Sequence, residues 1–266
     1  MKVGIVGCAG RMGRMLVAET AKTEGCEIGG GTDLPGSPFV GKDIALLAGL
    51  EECGITVISD PVELFATVDA VIDFTAPAAT MKHAAIAARA GKILVIGTTG
   101  LSTDQKAELA EFAEKTTIVF APNMSVGVNL AFALVEKVAA ILDKDTADIE
   151  IVEMHHKHKV DAPSGTALGL GEAAARGRGV DLETVSVRSR DGFTGARENG
   201  SIGFATLRGG DVIGEHTVVF ACEGERIEIT HKASSREVFA KGAVRAAKWA
   251  EGKGPGLYAM RDVLGL

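Results

Sequence analysis

Residues 155–166 read His-His-Lys-His-Lys-Val-Asp-Ala-Pro-Ser-Gly-Thr, which puts three of the six histidines and two lysines into five consecutive positions of a chain with a formal charge of −7. An acidic chain that gathers its protonatable groups in one place is equipped to handle protons and anions there. Imidazole titrates near pH ~6.5 and ammonium near ~10.4, so the segment offers both a neutral-pH proton shuttle and fixed cations. Pro163-Ser164-Gly165-Thr166 then opens a small-residue, helix-forming run at 167–175. A helix N-terminus presents unpaired N–H groups and partial positive charge, which suits a carboxylate or phosphate. The structural alternative is a solvated basic turn. Alone, the cluster indicates proton transfer beside an anion and leaves the reaction open.

A second constellation lies at the N-terminus. Gly7-Cys8-Ala9-Gly10-Arg11-Met12-Gly13 joins an apolar strand to a helical pattern. Glycines at 7, 10 and 13 allow a tight turn, close backbone approach to a pyrophosphate, and close helix-on-strand packing. Cys8 stands where the common fingerprint has its first glycine. Asp33 follows the next apolar run, about 20 residues beyond Gly13, where a carboxylate accepts the hydroxyls of an adenosine ribose. Gly97-Thr98-Thr99-Gly100 ends another strand, at the edge where open α/β sheets bind ligands; a plain turn capped by Ser102 or Thr103 explains it equally well. Together these features point to a nicotinamide dinucleotide.

The elements that must position these groups follow from periodicity. Strands are expected at 3–6, 27–31, 56–58, 70–74, 93–97 and 117–121, and helices at 11–22, 61–66, 78–90 and 103–115. Such alternation implies right-handed crossovers and a doubly wound parallel sheet of Rossmann type. After Asn123 the pattern changes. A helix at 126–142 and a strand at 148–154 lead into the histidines, followed by extended segments at 185–190, 202–207, 212–221 and 226–231, then a helix at 236–250. The expected organisation is an α/β dinucleotide-binding domain, 1–125 with 236–266, and an α+β domain with a mixed or antiparallel sheet, 126–235, for substrate binding and oligomerisation.

The 266 residues suffice for a well-buried core, and 46% hydrophobic content with few aromatics suits a compact α/β enzyme. A pI near 5.5 without a basic aromatic-laced stripe argues against nucleic-acid binding. Cys8, Cys26, Cys53 and Cys222 form no C-x-x-C pair, so no metal site is expected. The chain enters a strand at once and has no apolar run near the ~18 residues of a membrane helix, so a cytoplasmic enzyme without membrane contact is expected. His83 reads as structural, and His216 and His231 as satisfied sheet residues. Asp73 reads as a loop cap, and Asp161 as a turn former or a partner for a histidine. Glu150 and Glu153 lie too far from any His/Cys set for metal-ligand spacing, and neither G-x-S-x-G nor H-E-x-x-H occurs.

Gly7–Gly13 ending in Gly-Arg-Met-Gly, Ile72-Asp73-Phe74-Thr75, Gly97-Thr98-Thr99-Gly100, residues 155–166, Gly203-Phe204-Ala205, Gly214-Glu215-His216 and residues 229–236 together resemble the 4-hydroxy-tetrahydrodipicolinate reductases. The resemblance runs along essentially the whole chain, and residues 155–166 are its most specific part. It implies NAD(P)H-dependent reduction of (2S,4S)-4-hydroxy-2,3,4,5-tetrahydrodipicolinate to tetrahydrodipicolinate in the diaminopimelate route to lysine, a homotetramer, and domain closure over the substrate. It also implies roles by position. Gly7, Cys8, Ala9, Gly10, Arg11 and Met12 would hold the pyrophosphate and Asp33 the ribose. Gly97, Thr98 and Thr99, with Ala121, Pro122, Asn123 and Met124, would line the cofactor toward its nicotinamide. His155 would be the general acid/base and Lys159 the proton donor; His156, Lys159, Gly165 and Thr166 would contact substrate. Leu34 stands where many relatives carry an arginine, so NADH is the expected cofactor, with NADPH use left open. Met124 stands where relatives often have phenylalanine. Two other readings are a catalytically silent dinucleotide and dicarboxylate sensor, and a dehydrogenase of another small dicarboxylate.

Overall fold

A computed structural model describes residues 1–266, which divide into two compact units, Met1–Val126 with Glu237–Gly265 and Gly127–Arg236 with Leu266. The first unit runs β1 (Lys2–Val6), α1 (Arg11–Lys22), β2 (Glu27–Thr32), α2 (Ile44–Leu47), α3 (Pro61–Thr67), β3 (Ala70–Asp73), α4 (Pro77–Ala90), β4 (Ile93–Ile96), α5 (Thr103–Ala113) and β5 (Thr117–Phe120). The second holds α6 (Val126–Ile141), β6 (Asp148–His155), α7 (Gly165–Arg178), α8 (Leu182–Val185), β7 (Ser186–Val187), β8 (Ile202–Arg208), β9 (Gly214–Ala221) and β10 (Arg226–Ala233). The chain then adds α9 (Glu237–Ala250), β11 (Gly256–Tyr258) and α10 (Met260–Leu264) to the first unit.

The first sheet has the order β11-β5-β4-β3-β1-β2 with every pairing parallel. Its central strands are buried on both faces, which is why 70–73 and 93–96 read as unbroken apolar runs. Two cores follow from the two faces. Val3, Ile5, Leu16, Ile72, Val95 and the small buried stripe Ala240, Ala243, Ala247 of α9 pack together on one; Leu64, Phe65, Val71, Leu94 and Leu109 pack on the other. Because the strands are parallel, the residues following β1, β2, β3, β4 and β5 all emerge at one edge.

The second sheet, β10-β9-β6-β8-β7, is mixed: β6 is antiparallel to β9 and parallel to β8. Strict alternation of buried and half-buried residues along β6 and β9 marks a sheet covered by helices on one face. Ile149, Ile151, Val218 and Phe220 of that face meet Val135, Leu170, Ala173 and Ala174 of α6 and α7.

Three expectations need correction. The segment 56–58 makes only isolated bridges, Ile58 to Thr32 and Thr56 to Asp43, because the short run turns between two partners instead of following one. The extended segment expected at 185–190 is mostly not strand. Asp181 accepts a hydrogen bond from the Glu183 N–H and starts a helical turn, and only Ser186–Val187 pairs with β8. The strand expected from 212 begins at Gly214. Conversely, β11 and α10 carried too little periodicity to be anticipated. No helix is long and apolar enough to cross a membrane.

Candidate active site

The loop from β1 to α1 contains Gly7 at φ +67, a left-handed conformation that glycine alone adopts freely. The Gly10 N–H donates to the Gly7 carbonyl at 3.0 Å, closing the turn that delivers the chain to α1. A Cβ on Gly13 would overlap the Gly7 carbonyl and the Cys8 backbone. The cradle is therefore fitted to backbone, with the α1 N-terminus at its mouth and Gly10 and Arg11 exposed there. Such a cradle fits a pyrophosphate. Cys8 and Ala9 are buried behind it. Burial, with the charge of Asp33 adding to it, pushes the Cys8 thiol up to about 12, so this cysteine is a packing residue.

Asp33 immediately follows β2. Its Oδ1 accepts from the Leu34 N–H and its Oδ2 from the Ser37 hydroxyl, both at 2.8 Å, while the Leu34 side chain is 75% exposed. At the same edge Gly97, Thr98 and Thr99 follow β4, and Ala121, Pro122, Asn123 and Met124 follow β5. Thr98, Ala121 and Met124 are buried. The Asn123 side chain accepts from the Ser125 N–H at 2.9 Å. Asp73, at the end of β3, does more than cap a loop. It is fully buried, accepts from the Thr75 N–H (2.8 Å) and hydroxyl (2.6 Å) and from Thr98 Oγ1 (3.2 Å), and lies 2.8 Å from His83 Nδ1. His83 is thus structural, as expected. Ser102 caps α5 in a capping box with Gln105.

In the second unit, His155 ends β6, with Glu153 two positions earlier on the same strand face. Glu153 Oε2 lies 2.6 Å from His155 Nδ1. Its two oxygens also accept from Arg208 Nη1 and Nη2 at 2.7 and 3.0 Å, and Oε1 accepts from the Ser164 N–H at 2.9 Å. Ser164 is the N-cap of α7, its hydroxyl accepting from the Ala167 N–H, so Gly165 and Thr166 form the first turn and begin an N-terminus of the anion-binding kind. Burial pushes His155 below its ordinary pKa; the charges of Lys159 and Arg208 act the same way, and Glu153 opposes them. Burial would raise Glu153, but the bonds from Arg208, His155 and Ser164 outweigh it and hold the carboxyl below its usual range. A Cβ at Gly214 would lie 3.0 Å from His155 Nε2, so glycine at the start of β9 keeps that nitrogen clear.

Lys159 Nζ pairs with Asp161 Oδ1 at 2.8 Å, and the Asp161 carbonyl accepts from Arg208. Asp161 therefore serves the lysine and no histidine. His156 has its main chain bonded to Val212 and a buried Nδ1 without a partner. His216 is less inert than a satisfied sheet residue: its ring meets that of His155 edge-on at 5.0 Å, and its Nε2 lies 3.1 Å from Ser164 Oγ.

The second unit thus gathers His155, Lys159, Gly165 and Thr166 as the sequence suggested, and adds Glu153, Arg208, Ser164, Gly214 and His216. The Glu-x-His spacing within a strand was a legible signal, because alternation puts residues i and i+2 on one face. Nothing in the sequence pointed to Arg208, which comes from the neighbouring strand. No group of three or more His, Cys, Asp or Glu residues is placed to hold a metal.

A family model for the dihydrodipicolinate reductase N-terminus matches residues 1–124, and one for its C-terminus matches 127–264. The chain belongs to the dihydrodipicolinate reductase family. Its relatives include the 4-hydroxy-tetrahydrodipicolinate reductase of Parvibaculum lavamentivorans, 55% identical over 100% of this chain and 98% of that protein. That of Dinoroseobacter shibae is 56% identical over 98% and 97%. Among solved structures, a dipicolinate-bound dihydrodipicolinate reductase from Paenisporosarcina sp. TG-14 shares the fold, with a TM-score of 0.74 at 24% identity over 97% of both chains. An amine dehydrogenase from Mycobacterium smegmatis shares it more distantly, with a TM-score of 0.58 at 14% identity over 97% and 95%. The reductase family carries a Rossmann-like dinucleotide-binding unit, so NAD(P)H is the redox cofactor of this member, and the glycine cradle fits it.

Proposed function

We propose that this chain is a 4-hydroxy-tetrahydrodipicolinate reductase that prefers NADH. The observation that carries the reading is the grouping of His155, Lys159 and the N-terminus of α7 in one unit, beside a family match that spans both units. The first unit would hold the dinucleotide, with Gly7 to Met12 on the pyrophosphate and Asp33 on the adenosine ribose. Gly97 to Thr99 and Ala121 to Met124 would lie toward the nicotinamide. The second unit would bind the dicarboxylate. The bound cofactor supplies a hydride to the conjugated C=C–C=N system left when the hydroxylated substrate loses water.

The protein's own residues do the rest. Reduction develops negative charge on the substrate, which needs both stabilisation and a proton. The first-turn N–H groups of Gly165 and Thr166 would receive one carboxylate, and His156 would contact substrate. Lys159, steadied by Asp161, supplies positive charge and a donated proton. His155, with Nδ1 tied to Glu153, exchanges a proton at Nε2. Asp33 already accepts two local hydrogen bonds and retains lone pairs for two ribose hydroxyls, whereas exposed Leu34 offers no cation to a 2′-phosphate. A coupled assay decides the matter: the hydroxylated substrate is generated enzymatically from pyruvate and aspartate semialdehyde, and loss of NADH and NADPH is followed separately. Absence of substrate-dependent oxidation of either cofactor would leave the silent-sensor reading instead.

A further inference from the structure

Glu153 is 1% exposed, yet it carries a full charge, and each of its lone-pair directions is committed. Its position follows from the strand: β6 alternates, so Glu153 and His155 share the helix-covered face, and parallel β8 places Arg208 opposite His155. The bidentate guanidinium keeps the carboxylate ionised, and an ionised carboxylate only accepts. The proton between Glu153 and His155 therefore sits on Nδ1, which leaves Nε2 as the exchanging nitrogen. The same carboxylate accepts the Ser164 N–H, the cap of α7, whose first turn would receive a substrate carboxylate under the reductase reading. One buried group thus fixes both the tautomer of an imidazole and the start of an anion site.

We propose that Glu153 is the positioning residue of this site, holding His155 as the Nδ1–H tautomer and tying its ring to the N-terminus of α7, with Arg208 keeping Glu153 ionised. The proposal rests on the reductase reading for its catalytic consequence, but not for its geometry. The competing view makes Glu153 a mere buried partner for Arg208. The charged and titratable groups around His155 are Glu153 on its own strand, Arg208 from β8, His216 from β9, and Lys159 with Asp161 from the following loop.

The test begins with the ligand-free wild-type protein labelled with 15N-histidine, its His155 signals assigned by their loss in His155→Gln. The expected result is an Nδ1–H tautomer at neutral pH; an Nε2–H tautomer would overturn the proposal without any further variant. In Glu153→Gln, the carboxamide can donate to Nδ1, so the tautomer should switch toward Nε2–H and the His155 titration should move to lower pH. With the coupled substrate assay, kcat should fall by about 10²-fold, as for loss of a general acid–base group, while KM for NADH stays within about twofold. Should Glu153→Gln not fold, Glu153→Asp, whose shorter side chain draws the carboxylate back from Nδ1, should weaken the Nδ1–H preference and move the His155 titration, and the acid limb of kcat/KM, to lower pH; an unchanged tautomer and titration in Glu153→Asp would overturn the proposal. Unchanged tautomer and titration in Glu153→Gln, with only a lower melting temperature, would reduce Glu153 to a structural partner. A wild-type protein that turns over no substrate would instead remove the reductase reading and leave the resonance test standing.

Discussion

His216 is 4% exposed, has a buried Nδ1 without a partner, and reaches only Ser164 through Nε2. Burial is the main reason its pKa falls from 6.5 to about 4; His155, His231 and Lys159 push the same way, and Glu153 opposes them in part. The folded state therefore prefers the neutral ring, while the unfolded chain takes up the proton as soon as the pH drops through about 6.5. Stability from this residue is fully present above pH 6.5 and is lost progressively as the pH falls to about 4. The gap of about 2.5 pH units, at about 1.4 kcal/mol each, amounts to roughly 3–4 kcal/mol. His155 and His231 are depressed in the same direction and add to the slope. Urea midpoints measured at steps from pH 7.5 to 4 should therefore decline, and His216→Gln, which keeps a hydrogen-bonding amide near Ser164 but cannot titrate, should decline less. The difference between the two curves isolates this ring from the other histidines and from the carboxylates. Parallel curves for wild type and variant across that window would refute the reasoning, whatever the absolute stabilities.

Other outcomes follow from the same structure. His155→Gln and Lys159→Ala should each lower kcat by about 10²–10⁴-fold with little change in cofactor binding, and the double variant should lose less than the product, since both would serve one proton delivery under the proposed function; steady-state kinetics of the three variants decides this. NADH should be used at least as well as NADPH, and Leu34→Arg should improve KM for NADPH while leaving NADH nearly unchanged. Asp33→Ala should weaken NADH by about 1.5–3 kcal/mol, roughly 10- to 150-fold in Kd by titration calorimetry. A tenfold wild-type preference for NADPH in kcat/KM would contradict this account of the pocket. Pyridine-2,6-dicarboxylate, planar and doubly anionic, should inhibit competitively against substrate; no competition at millimolar concentration would count against the dicarboxylate site.

The sequence by itself determined the elements and their order where periodicity was strong. Continuous apolar runs at 70–73, 93–96 and 117–120 could only be doubly covered strands, and the alternation of strand and helix before Asn123 required parallel pairing. Glycine spacing located the cradle, because positive φ at Gly7 and backbone packing at Gly13 are constraints that residue identity alone reveals. The run at 155–166 likewise pointed, through local composition alone, to proton transfer beside an anion and to no particular reaction. What tertiary structure decided is everything that depends on distant partners. Arg208 reaches Glu153 from a neighbouring strand 55 positions away, and His216 reaches Ser164 across 52. The burial that turns Glu153 into a clamp and depresses His216 arises only when β6, β8, β9 and α7 assemble. The segments 56–58 and 185–190 failed as strands for the same reason: an extended local preference becomes a strand only where a continuous hydrogen-bonding edge is waiting for it, and these had one bridge at a time or a capped helical turn instead.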